Sequence, residues 1–255
     1  MNIIGIIPAR LASSRLPRKP MADILGMPMI GHVYKRCKLS RILKEVYVAT
    51  CDQEIADYVH SIGGKAIMTL NTHERASDRT AEALEKIEKD TGIKMDIVVM
   101  IQGDEPMVTP DMIDAAIAPI LQDKDIHITN LMAFMKTQEE HEDPSEVKVV
   151  VDKNNLAMYF SREPIPSRKK GATEIPMLKQ VCIIPFRRDF LLEYNAMPQT
   201  PLEIIESVDM NRLLENGIKI KMVLRDEETY SVDTPADLAN VNSKMQSDTY
   251  LKLYN

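Results

Sequence analysis

Three short runs of residues carry groups that handle anions and divalent cations. Residues 8–20 read Pro-Ala-Arg-Leu-Ala-Ser-Ser-Arg-Leu-Pro-Arg-Lys-Pro, with four cations, Arg10, Arg15, Arg18 and Lys19, and no acid before Asp23. A guanidinium grips phosphate oxygens in pairs, and an ammonium acts as a point charge. The hydroxyls of Ser13 and Ser14 and the loop N–H groups add neutral donors. A triphosphate carries enough charge to need this many. The run has neither the glycine spacing of a Walker loop nor that of the dinucleotide fingerprint; the competing reading is a solvated basic loop. Residues 101–106, Ile-Gln-Gly-Asp-Glu-Pro, offer Asp104 as a ligand for Mg²⁺, which takes one or two carboxylates plus substrate phosphates. Gly-Asp and Pro equally make a turn. Residues 231–235, Ser-Val-Asp-Thr-Pro, offer Asp233 either as a helix cap or as a second metal ligand beside Asp104, and spacing leaves both open.

The elements that must position these runs alternate. Residues 2–8 form a short apolar run ending in proline, as a buried parallel strand does. The pattern predicts strands at 46–50, 65–68 and 96–101. It predicts helices over 28–39, over 53–61, from a cap at Ser77 or Asp78 to 89, and over 110–121. Alternation of this kind requires crossover connections and a largely parallel sheet covered by helices. The cationic run then follows the first strand, and Asp104 follows a central one, at the strand ends where such sheets bind ligands.

The second half changes character. Residues 147–151 and 156–160 read as a hairpin about 152–155, and 161–173 as an exposed loop rich in Pro, Arg, Lys and Ser. A strand over 178–185, a short helix over 187–194, a helix over 201–216 capped by Gly217, a strand over 218–224 and a closing helix over 235–245 follow. No linker or repeat interrupts the chain. The expectation is one domain, 1–255, with a β-rich elaboration at 147–185.

The 255 residues carry a formal net charge of -6, with 44% hydrophobic and 27% charged residues. That balance excludes a general nucleic-acid binder, which needs a basic stripe to replace counterions, and leaves room for a large core. No apolar run is long enough to span a bilayer. The first nine residues lack the basic flank of a signal peptide. Cys37, Cys51 and Cys182 have no metal-type spacing and read as free thiols of a reducing compartment, the cytoplasm. His32 reads as a core or capping residue. His60, His127 and His141 have no partner spacing for a metal, and the 17 methionines are core filler.

The motifs P-A-R-x-x-S-x-R-L-P-x-K-P, Q-G-D-E-P and V-D-T-P-x-D-L resemble, in that order, those of the CMP-Kdo synthetases, the 3-deoxy-manno-octulosonate cytidylyltransferases. The resemblance continues through residues 26–33, 147–150, 159–162, 165–166 and 201–203 and covers essentially the whole chain. It implies a Rossmann-like α/β nucleotidyltransferase, with a mostly parallel mixed sheet flanked by helices and a β-rich dimerisation elaboration. It implies transfer of CMP from CTP to a small acidic sugar, pyrophosphate release, a Mg²⁺ cofactor, a homodimer and a role in lipopolysaccharide biosynthesis. Arg10, Ser14, Arg15 and Lys19 match the triphosphate loop. Asp104 and Asp233 match the metal-binding aspartates, and with Lys19 form the implied catalytic set. The cytosine pocket is implied around Pro8, Ala9, Ala49, Thr50 and Gln102. The acceptor side is implied at Arg79, Gln102, Gln180 and Glu203.

The chain departs from the family mainly on the acceptor side. Where the family reads H-x-S-G-T-D/E-R, residues 73–79 read His-Glu-Arg-Ala-Ser-Asp-Arg: Arg79 is kept, Gly becomes Ala76, and Arg75 is an added cation. In place of H-x-G-I-Y-x-Y/F, residues 180–186 read Gln-Val-Cys-Ile-Ile-Pro-Phe, so Gln180 replaces a sugar-contacting His and Ile184 a Tyr. Cys51 stands where an Asp is usual. These changes open the acceptor to other anions, such as an amino-ulosonate or a phosphonate. A nucleotide-binding protein without turnover is the alternative from a different class; retention of Asp104, Asp233 and the cationic loop weighs against it.

Overall fold

The computed structural model describes every residue except Ser14, Thr173 and Asn255. The chain opens with β1 (Ile3–Ala9), a cationic loop, a 3₁₀ turn at Lys19–Met21 and the small hairpin β2 (Asp23–Ile24) and β3 (Met27–Pro28). It continues through α1 (Met29–Cys37), β4 (Glu45–Thr50), α2 (Gln53–Ser61), β5 (Ala66–Met68), α3 (Ala76–Thr91), β6 (Ile97–Ile101) and α4 (Pro110–Gln122). The second half holds β7 (Thr129–Phe134), α5 (Gln138–Glu142), β8 (Lys148–Val151), β9 (Ala157–Ser161), β10 (Leu178–Val181) and β11 (Ile183–Arg187). It ends with α6 (Arg188–Ala196), α7 (Pro201–Glu206), α8 (Met210–Glu215), β12 (Lys221–Arg225), α9 (Pro235–Met245) and a 3₁₀ turn at Tyr250–Leu253.

The first sheet has the order β11-β6-β1-β4-β5. β6, β1, β4 and β5 run parallel, and β11 is antiparallel on the β6 edge. Alternation along β1 explains why both faces are covered. Ile4 and Ile6 pack with Leu84 and Ile87 of α3 and Leu191 of α6. Ile3 and Ile7 pack with Val33 of α1, Val59 of α2 and Ile113 of α4. Successive side chains of a strand point to opposite faces, so one apolar run serves two cores. The second sheet, β12-β7-β10-β8-β9, is mostly antiparallel. Residues 147–185 contribute β8, β9 and β10 to it, but β7 and β12 come from outside that range, so the β-rich part is not one contiguous insertion.

Several expectations are corrected. Residues 178–185 are not one strand. The chain breaks at Cys182, with β10 in the second sheet and β11 in the first. The crossing is held by the loop after β6: the Cys182 carbonyl accepts the Gln102 N–H at 3.1 Å, and its N–H donates to Glu105 at 3.4 Å. Residues 201–216 are two helices, because Ser207 takes φ +53° and Asp209 turns to pair with Arg75 and Ser77. Ser77 and Asp78 lie inside α3 rather than capping it, with Arg75 at the cap position. Among the described residues no helix is long and apolar enough to cross a membrane.

Candidate active site

Chain order reverses direction across the first sheet on the two sides of β1, with β4 on one side and β6 on the other. The crevice beyond the carboxyl ends of such strands is the ligand position of this architecture. A cavity of about 490 Å³ lies there, with Pro8, Ala9, Arg10, Arg15 and Lys19 on one wall and Gln102 to Glu105 below. Gly103 lets these walls meet: a Cβ there would come within 3.3 Å of the Pro8 carbonyl oxygen. The loop after β1 is tied down from beneath, as the Leu11 N–H donates to the Asp52 carboxylate at 2.7 Å.

The expected carboxylates are brought together. Lys19 Nζ donates to Asp104 Oδ2 at 2.8 Å and to Asp233 Oδ1 at 2.9 Å. Arg15 reaches the same Asp233 oxygen at 2.9 Å. Burial pulls the Lys19 pKa down, but Asp104 and Asp233 outweigh it and hold the ammonium above its ordinary value. The cap of α9 is Thr234, whose side chain accepts the Asp237 N–H while Asp237 accepts the N–H groups of Asp233 and Thr234. Asp233 is therefore not the cap, and its carboxylate is turned into the cavity. Two carboxylates, each with an oxygen not engaged by a side chain among the described residues, fit a hard cation that fills its sphere with phosphate oxygens and water. Among the described residues no cluster of three or more His, Cys, Asp or Glu could hold a metal by itself. Beside Asp104, Glu105 is pushed up to about 7 by burial and then by its neighbour's charge, against the opposing pull of Lys179.

The far wall holds Arg75, Arg79, Glu146, Arg162, Gln180 and Asp209. Most of its cations are already engaged. Arg75 pairs with Asp209 at 3.2 Å, and Arg162 donates to the carbonyls of Pro144, Glu206 and Ser207. Burial raises the Asp209 pKa, opposed by Arg75 and Ser77. Arg79 is buried and donates through Nη1 to Thr69 and Leu70, while its buried Nη2 has no partner among the described residues. Gln180 donates to Asn130 at 2.6 Å.

Pro8, Ala9, Arg10, Arg15, Lys19, Arg79, Gln102, Asp104, Gln180 and Asp233 thus line one cavity, and Ser14 lies outside the described residues. Three expected site residues do not line it. Ala49 and Thr50 are fully buried in β4 and are not among the residues that line the cavity. Glu203 is fully buried and takes two bonds from Arg212, at 2.7 and 2.6 Å. Neither Cys51 nor Asp52 lines the cavity, and the Asp52 carboxylate accepts the Leu11 N–H. Sequence reasoning missed Ser145, Glu146, Ser207 and Asp209. The polar Ser-Val-Asp run at 207–209, interrupting an apolar helical pattern, was the available signal for the last two. His32 is a buried structural residue between the Ile24 carbonyl and the Tyr254 hydroxyl.

A Rossmann-like sheet whose strand ends carry a cationic loop and two converging carboxylates defines a nucleotidyltransferase. Residues 4–220 match the family described as cytidylyltransferase. The chain is 42% identical to a 3-deoxy-manno-octulosonate cytidylyltransferase of Trichlorobacter lovleyi, covering 96% of this chain and 99% of the relative. It is 41% identical to the protein of that name from Geobacter metallireducens, covering 96% and 98%. A solved structure of CMP:2-keto-3-deoxy-manno-octonic acid synthetase in complex with CTP superposes with TM-score 0.88 at 39% identity, covering 96% of this chain and 99% of that one. The chain belongs to the cytidylyltransferase family, among its CMP-Kdo synthetases.

Proposed function

We propose that this chain transfers CMP from CTP to an acidic sugar of the 3-deoxy-2-ulosonate kind, the acceptor named in its relatives being the first choice. The observation that carries the reading is the Lys19 ammonium held between Asp104 and Asp233 at the mouth of the nucleotide crevice. A hydroxyl oxygen of the acceptor forms a bond to the α-phosphorus, the bond from that phosphorus to the bridging oxygen breaks, and pyrophosphate leaves with the electron pair. The hydroxyl proton passes to water. Arg10, Ser14, Arg15 and Lys19 bind the triphosphate and spread its charge, which grows on the leaving oxygens as the bond breaks. Pro8, Ala9 and Gln102 border the base, and Arg79 and Gln180 face the acceptor. Asp104 and Asp233 would hold Mg²⁺, which when bound supplies charge neutralisation on the phosphate oxygens.

The exposed Met158 of β9 and the exposed Ile204 and Ile205 of α7 support a homodimer, since exposed large apolar side chains are covered in a pairing surface. Three free cysteines suit the reducing cytoplasm. Arg75, Ala76, Gln180 and Ile184, the departures on the acceptor side, favour a second reading in which the acceptor is another small anion. Pyrophosphate release tests both. Incubation with CTP and 3-deoxy-manno-octulosonate is expected to release it, UTP to serve less well and purine nucleotides poorly. Preference for a purine would sink the assignment, and release only with a different anionic acceptor would select the second reading.

A further inference from the structure

Gln180 stands on β10 in the wall of the cavity, which Val147, Met100 and Ile184 also line. Beside it, on the same face of the sheet, β7 carries Asn130, fully buried and not among the residues that line the cavity. The Asn130 amide has its orientation fixed by its surroundings. Its Nδ2 donates to the Val181 carbonyl at 2.7 Å and to the Leu131 carbonyl at 3.0 Å. A flipped amide would turn its oxygen toward those two carbonyl oxygens, which no hydrogen bond could join. Asn130 Oδ1 therefore faces Gln180 as an acceptor, and Gln180 must present its NH₂ group, the donor of the 2.6 Å bond. Of what the Gln180 amide has left, Oε1 accepts only, and the second hydrogen of Nε2 donates from a different point.

We infer that Asn130 is a positioning residue that fixes the Gln180 amide in one orientation, and that Gln180 Oε1, the acceptor so placed, selects an acceptor sugar presenting a hydroxyl hydrogen at this point. The inference rests on the acceptor-sugar reading proposed above and deepens it. An imidazole at this position could donate or accept according to its tautomer. The locked amide removes that choice. A site built to bond a hydroxyl rejects the analogue lacking it far more strongly than an apolar pocket rejects a changed methylene.

The test compares 3-deoxy-manno-octulosonate with a set of analogues in which each hydroxyl, apart from the attacking one, is replaced in turn by hydrogen. Pyrophosphate release is followed with wild type, Gln180→Met and Asn130→Ala. With wild type, one replacement is expected to lower kcat/KM about tenfold or more, through the acceptor KM, with the KM for CTP unmoved. In both variants the ratio between parent and that analogue is expected to collapse to within about twofold, which a merely structural loss of stability would not produce. A wild type that uses every deoxy analogue as well as the parent overturns the inference, whatever the variants do. A penalty that survives in both variants overturns it as well. No release from any acceptor of the set by wild type overturns the function reading together with this one, whereas release with a flat profile overturns this one alone.

Discussion

Glu203 is the residue on which a contact role and a structural role predict opposite results. It is fully exposed to neither solvent nor cavity, and its carboxylate takes the Nε and Nη2 donors of Arg212 at 2.7 and 2.6 Å. It also accepts the Thr200 N–H at 3.3 Å, closing the cap of α7. Glu203→Gln keeps the shape but points an NH₂ group at one Arg212 donor. Arg212, only 3% exposed, then keeps its charge with little beyond the carbonyls of Tyr194 and Met197, at 3.3 and 3.2 Å. Breaking one side of a buried pair costs about 3–5 kcal/mol. The glutamine retains one acceptor, so about 3 kcal/mol is the fitting figure. At roughly 2–4 °C per kcal/mol for a chain of this size, the melting temperature should fall by about 6–12 °C. Thermal melts and steady-state kinetics on the same preparations check it, with both KM values expected to stay within about twofold. An acceptor KM raised tenfold with an unmoved melting temperature would refute the structural assignment.

Asp104→Asn and Asp233→Asn should each keep the fold and lower turnover by about two to three orders of magnitude, since each removes a charged oxygen from the reacting end of the cavity. EDTA should abolish pyrophosphate release and Mg²⁺ restore it; near-normal turnover in both variants would remove the metal assignment. Acid stability gives an independent check. Burial pushes Glu45 up, but bonds from Lys38, Lys65 and the Val46 N–H outweigh it and hold the carboxyl at about 2. Burial also pushes Glu82 up, and Lys86, the Leu70 N–H and His73 bring it to about 2. Both folded pKa values lie below the ordinary 4.5, so the unfolded chain binds protons first as pH falls. Their stabilisation is complete above pH 4.5 and lost between there and pH 2, on the order of 1–3 kcal/mol for each. Urea midpoints across that window should fall in wild type and fall less steeply in the double variant Glu45→Gln, Glu82→Gln, since Glu88, Asp189, Glu206 and Glu227 are held low as well.

What could be read from the sequence was local in origin. The cationic run after β1 and the Asp104 turn after β6 are contiguous, follow apolar strands, and sit where an alternating α/β chain must place its ligand. What the chain hides is pairing over distance. Nothing in the residues near Asn130 tells that β7 lies between β10 and β12, or that its amide fixes the one on Gln180. Cys182 reads as the middle of a strand because the apolar Val181 and Ile183 flank it, and the loop after β6 holds the point where the chain changes sheets. Glu203 was misread in spite of a legible signal. Thr200-Pro201-Leu202-Glu203 has the S/T-x-x-E spacing of a capping box, with proline in the first turn, and that pattern turns the glutamate toward the backbone of its own helix.

Asp233 had the same ambiguity, and its resolution explains how the site stays open for chemistry. A residue before Thr-Pro is either a cap or free to face elsewhere. Here Thr234 and Asp237 cap α9 between them, and Asp237 also takes the Asp233 N–H at 3.0 Å. The chain just before it is pinned independently, because the Val232 N–H donates to the carbonyl of Asp104 itself at 2.9 Å. The backbones of the two aspartates are thus registered by bonds that involve neither carboxylate. Lys19 holds the side chains together without being needed to hold the segments together. Two like charges kept close by the backbone repel one another, and that repulsion is relieved by any cation placed between them. The folding energy of α9 and of the Asp104 turn therefore sets the spacing in advance, so that Asp104 and Asp233 would offer a bound cation a formed pair of oxygens, with little ordering entropy left to oppose it.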